Sequence, residues 1–167
     1  MNNGSTDEIA AVTRKFIGNA SFRTIYMFEP KLGKSNGVNT ALEKANDQIV
    51  AFTDDDCYPE PDFVSQVWSA FEDSSVGYIS GRVILHDPAD HPTTINESDE
   101  PFTFPAGSLV RAAAIPGANM AFKRRVLLDI TGFDPRFGPG SSFEAAEDVE
   151  ATSRASALGW KGQYTDV

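Results

Sequence analysis

The residues of this chain best placed to do chemistry are three consecutive aspartates, Asp54, Asp55 and Asp56, which close the apolar run Ile49-Val50-Ala51-Phe52. In an extended backbone alternate side chains share a face, which would turn Asp54 and Asp56 toward one point and Asp55 away. Two carboxylates about 6 Å apart repel by roughly 3 kcal/mol at an effective dielectric of about 20, and a divalent cation removes that penalty. The triplet therefore reads as a cation-binding pair, with a solvated acidic turn as the alternative. A second acidic pair, Glu147 and Asp148, stands early in a helical pattern, where acids also occur simply because they complement the helix dipole. Glu150 and Arg154, four residues apart, suit a surface pair on the same helix. His86 and His91 with Asp87 and Asp90 could be drawn as another metal cluster, although a polar loop of that composition needs no metal.

The elements that must position these groups follow from apolar spacing. Ile9, Val12 and Phe16 mark a first helix, and Arg23 to Phe28 a short strand. Gly33 to Gly37 opens a helix whose stripe is Val38, Ala41, Leu42 and Ala45. A buried strand, Ile49 to Phe52, leads directly into the aspartates. Pro59 and Pro61 mark a turn before a helix with Phe63, Val64, Val67, Trp68 and Phe71 on its apolar face, and Val76 to Ser80 is the next strand. Trp68 and Trp160 read as core packing. Strand and helix thus alternate, the pattern of a mainly parallel sheet with flanking helices, in which ligands bind beyond the carboxyl ends of strands. Residues 86 to 116 break the rhythm and read as a long functional or mobile loop. Then come Gly117 to Phe122, a short helix from about Lys123 to Ile130, a turn-rich link, a helix from about Phe143 to Leu158 ended by Gly159, and a strand from Trp160 toward Val167.

Composition bounds the partners. The 167 residues, 41% hydrophobic, suffice for one domain with a core. A net charge of −10, with no basic run longer than Lys123-Arg124-Arg125, argues against a nucleic-acid partner, because phosphate backbones demand basic patches. Cys57 is the only cysteine, so no internal disulfide forms and a reducing, cytoplasmic compartment is expected. No stretch reaches the roughly 18 to 20 apolar residues of a membrane span. Attachment to the cytoplasmic face of a membrane stays open for a full-length parent.

Five segments in series, "NGSTDEIAAVTRKF", "GKSNGVNTAL", "IVAFTDDDCYPEPDF", "GANMAFKRRVLLDITGFDPRFGPG" and "AAEDVEATSRASALGW", resemble family 2 glycosyltransferases of the GT-A fold in order and spacing. The resemblance covers nearly the whole chain. It implies an α/β nucleotide-diphospho-sugar transferase fold and inverting, metal-dependent transfer of a sugar from a nucleotide-sugar donor to an acceptor hydroxyl on a carbohydrate, lipid or other molecule, as in polysaccharide biosynthesis. Asp54 and Asp56 match the family's Asp-x-Asp motif, implying a site for Mg²⁺ or Mn²⁺ and the donor diphosphate. Asp55, at the variable middle position, would contact the nucleotide side or orient its neighbours. Asp148 matches the catalytic base and Glu147 an acceptor-positioning group. Lys34 and Asn39 match the helix lying against the nucleotide, with an exposed lysine as the other reading of Lys34. Asn119 falls in the segment under the acceptor and donor sugar, or serves its turn.

The departures from the family imply a single partial catalytic domain over residues 1–167, truncated at both ends. The usual first strand and helix are absent, Asn2 stands where an aspartate normally grips the donor base, and the chain stops before a histidine that follows the last strand in many members. Two alternatives remain at this level: a catalytically inactive nucleotide- or sugar-binding fragment, and a Mg²⁺-dependent phosphatase of the haloacid-dehalogenase type. The latter's Asp-x-Asp sits on the first strand and is usually followed by Thr or Val, whereas Cys57 and Tyr58 follow here.

Overall fold

A computed structural model describes residues 1–5, 7–112 and 114–166, with the Asp7 side chain left aside; the expected end of the last strand at Val167 lies outside the described residues. The elements are α1 (Asp7–Asn19), α2 (Lys34–Leu42), β1 (Ile49–Phe52), α3 (Phe63–Ala70), β2 (Val76–Ser80), β3 (Phe102–Phe104), β4 (Met120–Lys123), α4 (Arg124–Asp129), α5 (Glu147–Ala157) and β5 (Lys161–Tyr164). They fall into two compact units, Met1–Asn46 with Phe133–Ala145, and Asp47–Gly132 with Ala146–Val167. Among the described helices none is long and apolar enough to cross a membrane.

The second unit holds the sheet, in the order β1-β4-β2-β5-β3. Only β2 and β5 pair in parallel; β1/β4, β2/β4 and β3/β5 are antiparallel. The sheet is therefore mixed, which corrects the expectation of a mainly parallel one. The alternation of helix and strand did give the right direction for β1 and β2, since both run opposite to β4. What local pattern could not reveal is that β4, from much later in the chain, inserts between them.

The interior is built on β2, buried at every position as Val76, Gly77, Tyr78, Ile79 and Ser80. On one face Ile79 and Ala121 pack with Val67 and Phe71 of the α3 segment. On the other, Tyr78 lies 5.9 Å from Phe122 and 6.1 Å from Phe104, ring centroid to centroid. A Cβ at Gly162 would stand 2.1 Å from the Tyr78 ring, so the phenol crosses β5 where the sheet has no side chain. Burial pushes the Tyr78 hydroxyl up to about 12. Trp160 packs over Gly77, as expected of a core tryptophan.

Several sequence expectations change here. Trp68 is 60% exposed rather than core, and with Ile49, Phe63, Val64 and Val67 it walls an open cavity of ≈ 460 Å³. Strand β1 is the sheet edge and only half-buried, with Ala51 exposed, because an apolar run looks the same at an edge as at a centre. Residues 86 to 116 are not all loop: β3 lies within them, and Val110 and Ile115 are 2% and 1% exposed. Helix α5 starts at Glu147, after Ala146 adopts a left-handed φ of 70° and after Phe143 bridges Phe137.

The first unit is held by polar contacts more than by a core. Helix α1 forms as the spacing predicts, but Ile9, Val12 and Phe16 are 49%, 63% and 57% exposed. The expected strand at 23–28 reduces to one parallel bridge between Phe28 and Asn2, since a strand needs a neighbour to form a ladder. Helix α2 buries Ser35 and Gly37 rather than its expected apolar stripe. Ser35 Oγ donates to Phe137 O at 2.8 Å, and the Lys34 N–H to Pro139 O at 3.0 Å.

Candidate active site at one edge of the sheet

Register places four strand ends in one line. Phe52 pairs with Met120, Met120 with Ser80, and Ser80 with Tyr164. These are the carboxyl ends of β1, β2 and β5 and the amino end of β4. The chain leaving β1 here carries the aspartates, and the chain entering the neighbouring strand β4 carries Gly117 and Asn119 in the turn before it.

The aspartates do not continue the strand. Cys57 N donates to Asp54 O at 3.3 Å, closing a turn over Asp54 to Cys57, so strand alternation is not what relates Asp54 to Asp56. Burial pushes the Cys57 thiol up, and the charges of Asp56 and then Asp54 push it further. Carboxylate oxygens are hard donors of the kind that Mg²⁺ or Mn²⁺ takes when a ligand's phosphate oxygens complete the coordination. Among the described residues no three His, Cys, Asp or Glu side chains gather into a metal cage, so His86, His91, Asp87 and Asp90 form no second cluster. His86 instead meets Tyr58 ring to ring at 4.7 Å, joining the segment after β2 to the segment after the acidic turn.

The turn before β4 is fixed to the end of β2. Asn119 N donates to Pro116 O at 3.1 Å, and Asn119 O accepts from Gly81 N at 3.1 Å and from Ser80 Oγ at 2.9 Å. Asn119 Nδ2 donates to Arg82 O at 2.8 Å. Against this turn lies Asp148: a Cβ built on Gly117 would stand 3.1 Å from its Oδ2. The other oxygen, Oδ1, accepts from Val149 N at 2.7 Å in the first turn of α5. Glu147 beside it is 7% exposed. Glu150 and Arg154 do pair, at 2.5 Å, yet not as a mere surface pair. The guanidinium also donates to Ile130 O and, at 2.8 Å, to Gly132 O, capping α4 with α5.

Asp54, Asp55, Asp56, Asn119, Glu147 and Asp148 thus all belong to the second unit. Lys34 and Asn39 belong to the first. The Asn39 amide is engaged with one backbone residue in both directions: Nδ2 donates to Phe133 O at 2.7 Å, and Oδ1 accepts from Phe133 N at 2.8 Å. Sequence reasoning missed Gly117 and the capping by Arg154, because each acts across a chain separation of more than twenty residues that no local signal marks.

A mixed α/β sheet with flanking helices is the architecture of GT-A glycosyltransferases. Two of the solved structures that share it illustrate the match. A mannosyltransferase from Pyrobaculum calidifontis, in complex with GDP-Man and Mn²⁺, superposes with a TM-score of 0.67 at 24% identity, over 98% of this chain and 43% of that one. S. aureus TarS 1-349 gives 0.67 at 15% identity, over 98% and 47%. Residues 1–130 match the model of glycosyl transferase family 2, and the chain belongs to that family. A probable glycosyltransferase of Bacillus subtilis, YdaM, is 25% identical over 170 residues, 96% of this chain and 39% of the relative. The chain spans less than half the length of each of these proteins.

Proposed function

We propose that the second unit carries the reacting end of an inverting sugar transferase, which moves a sugar from a nucleotide-diphosphate donor to an acceptor hydroxyl with a divalent cation. The observation that supports it most is the register Phe52–Met120–Ser80, which brings the acidic turn and the Gly117–Asp148 contact to one edge by adjacent strands. The mannosyltransferase neighbour, bound to GDP-Man and Mn²⁺, supports a nucleotide-sugar donor and a divalent cation.

In this reading Asp54 and Asp56 would hold Mg²⁺ or Mn²⁺, which would supply positive charge to offset that of the departing diphosphate. Asp148 accepts the acceptor hydroxyl's proton while that oxygen attacks the anomeric carbon opposite the leaving group. The bond to the diphosphate breaks with its electron pair going to the diphosphate oxygen. Glu147 orients the acceptor. Asp55 contacts the nucleotide side or orients its neighbours, and Lys34 and Asn39 are assigned no step.

Asp56→Ala abolishes Mn²⁺-dependent donor binding measured by calorimetry, and unchanged affinity overturns the cation assignment. Asp148→Asn keeps donor binding and loses transfer by a factor of roughly 10² to 10⁴, the usual scale of general-base catalysis. Full turnover by that variant overturns the base. A catalytically inactive nucleotide- or sugar-binding protein is the alternative reading, and sugar transfer or donor hydrolysis by this chain excludes it.

A further inference from the structure

We infer that Gly117 and Asn119 are positioning residues for Asp148, which they hold in place without themselves meeting substrate. This rests on the reading of Asp148 as the base. The Pro116–Asn119 turn is a fixed wall: its backbone is bonded to Ser80 and Gly81, and the Asn119 amide to Arg82. Pro116 and Gly117 are buried and Ile115 is 1% exposed, so the wall is packed and resists displacement more than a side-chain carboxylate does. The Asp148 carboxylate accepts from Val149 N at 2.7 Å through Oδ1, and its Oδ2 faces the side of Gly117 on which a Cβ would stand. A methyl at Gly117 would meet Oδ2 at 3.1 Å, Cβ at 3.6 Å and Cγ at 3.7 Å, all atoms of that one side chain. With the wall the stiffer of the two, the carboxylate is what moves. Asn119, expected to lie under the acceptor or to serve its turn, takes the second role here: it ties that turn to the end of β2.

The test is steady-state kinetics of Gly117→Ala and Asn119→Ala in the full chain, with a melting curve on each. Both lower kcat by about tenfold or more, as small misplacements of a reacting group do, while the donor KM stays within about twofold, since binding equal in ground and transition state is untouched. In an Asp148→Asn background Gly117→Ala costs nothing further, because the group it displaces is already gone. Carbon NMR titration of the Asp148 carboxyl supplies a readout independent of turnover and is expected to move in both variants. Wild-type kcat in both, with Asp148→Asn inactive and the titration unmoved, overturns the positioning role while leaving the base in place. Activity in Asp148→Asn instead overturns the base itself. Should Gly117→Ala melt early, Asn119→Ala and the titration decide.

Discussion

Asp73 shows how one side chain can be read from geometry and tested by pH. Its carboxylate accepts from Ser75 Oγ at 2.7 Å and Ser75 N at 2.9 Å, and meets Lys161 Nζ at 3.1 Å. The Ser75 hydroxyl and backbone bonds, then Lys161, hold it down to about 2 from 3.8. A depressed carboxyl stabilises the fold fully above 3.8 and ceases to as pH falls through about 2, so stability should drop across that window. Acid unfolding of Asp73→Asn should show a shallower slope there. Ala146, at φ 70°, is a second residue-scale case. A left-handed alanine costs about 1 to 2 kcal/mol, part of which glycine returns as unfolded-state entropy. Ala146→Gly should therefore raise stability by about 0.5 to 1 kcal/mol in urea titration. The aspartate triplet was legible at this scale because three acids after an apolar run are unusual chemistry. Its turn was not, since the same residues suit an extended strand end.

At the scale of elements, periodicity placed β1 and β2 to the residue and α4 and β5 closely, whereas α2, expected to run to near Asn46, ends at Leu42. It failed where an element needs a partner: residues 23–28 have one bridge, and α5 waits until the left-handed Ala146. The helix end at Gly159 was legible because its φ of 93° suits glycine and lets Trp160 N donate to Ala155 O at 3.1 Å. Sheet contacts are less forgiving. Gly162→Ala places a methyl 2.1 Å from the Tyr78 ring, both buried. We expect a loss of about 3 kcal/mol, the upper part of the range for overpacked cores, read as a fall in the urea midpoint at constant m. A midpoint within experimental scatter of wild type would show that the ring is free to move.

For the whole molecule, the two units differ in what holds them. Among the described residues, only Ala10 and Phe133 of the buried apolar set belong to the first; the rest belong to the second. Regions with few buried apolar contacts open at low free energy. Amide exchange in α1 should therefore be much faster than in β2 and β4, and equal protection would refute the difference. By itself the sequence determined the family, the local elements and the residue types available for chemistry, since these follow from spacing along the chain. It also limited partners through a net charge of −10. Only the tertiary structure decided that β4 separates β1 from β2, that Trp68 faces solvent, and that Asp148 meets Gly117. Each of those depends on which distant segments pair, a choice settled by packing and hydrogen bonding over the whole fold and left unwritten in any local stretch.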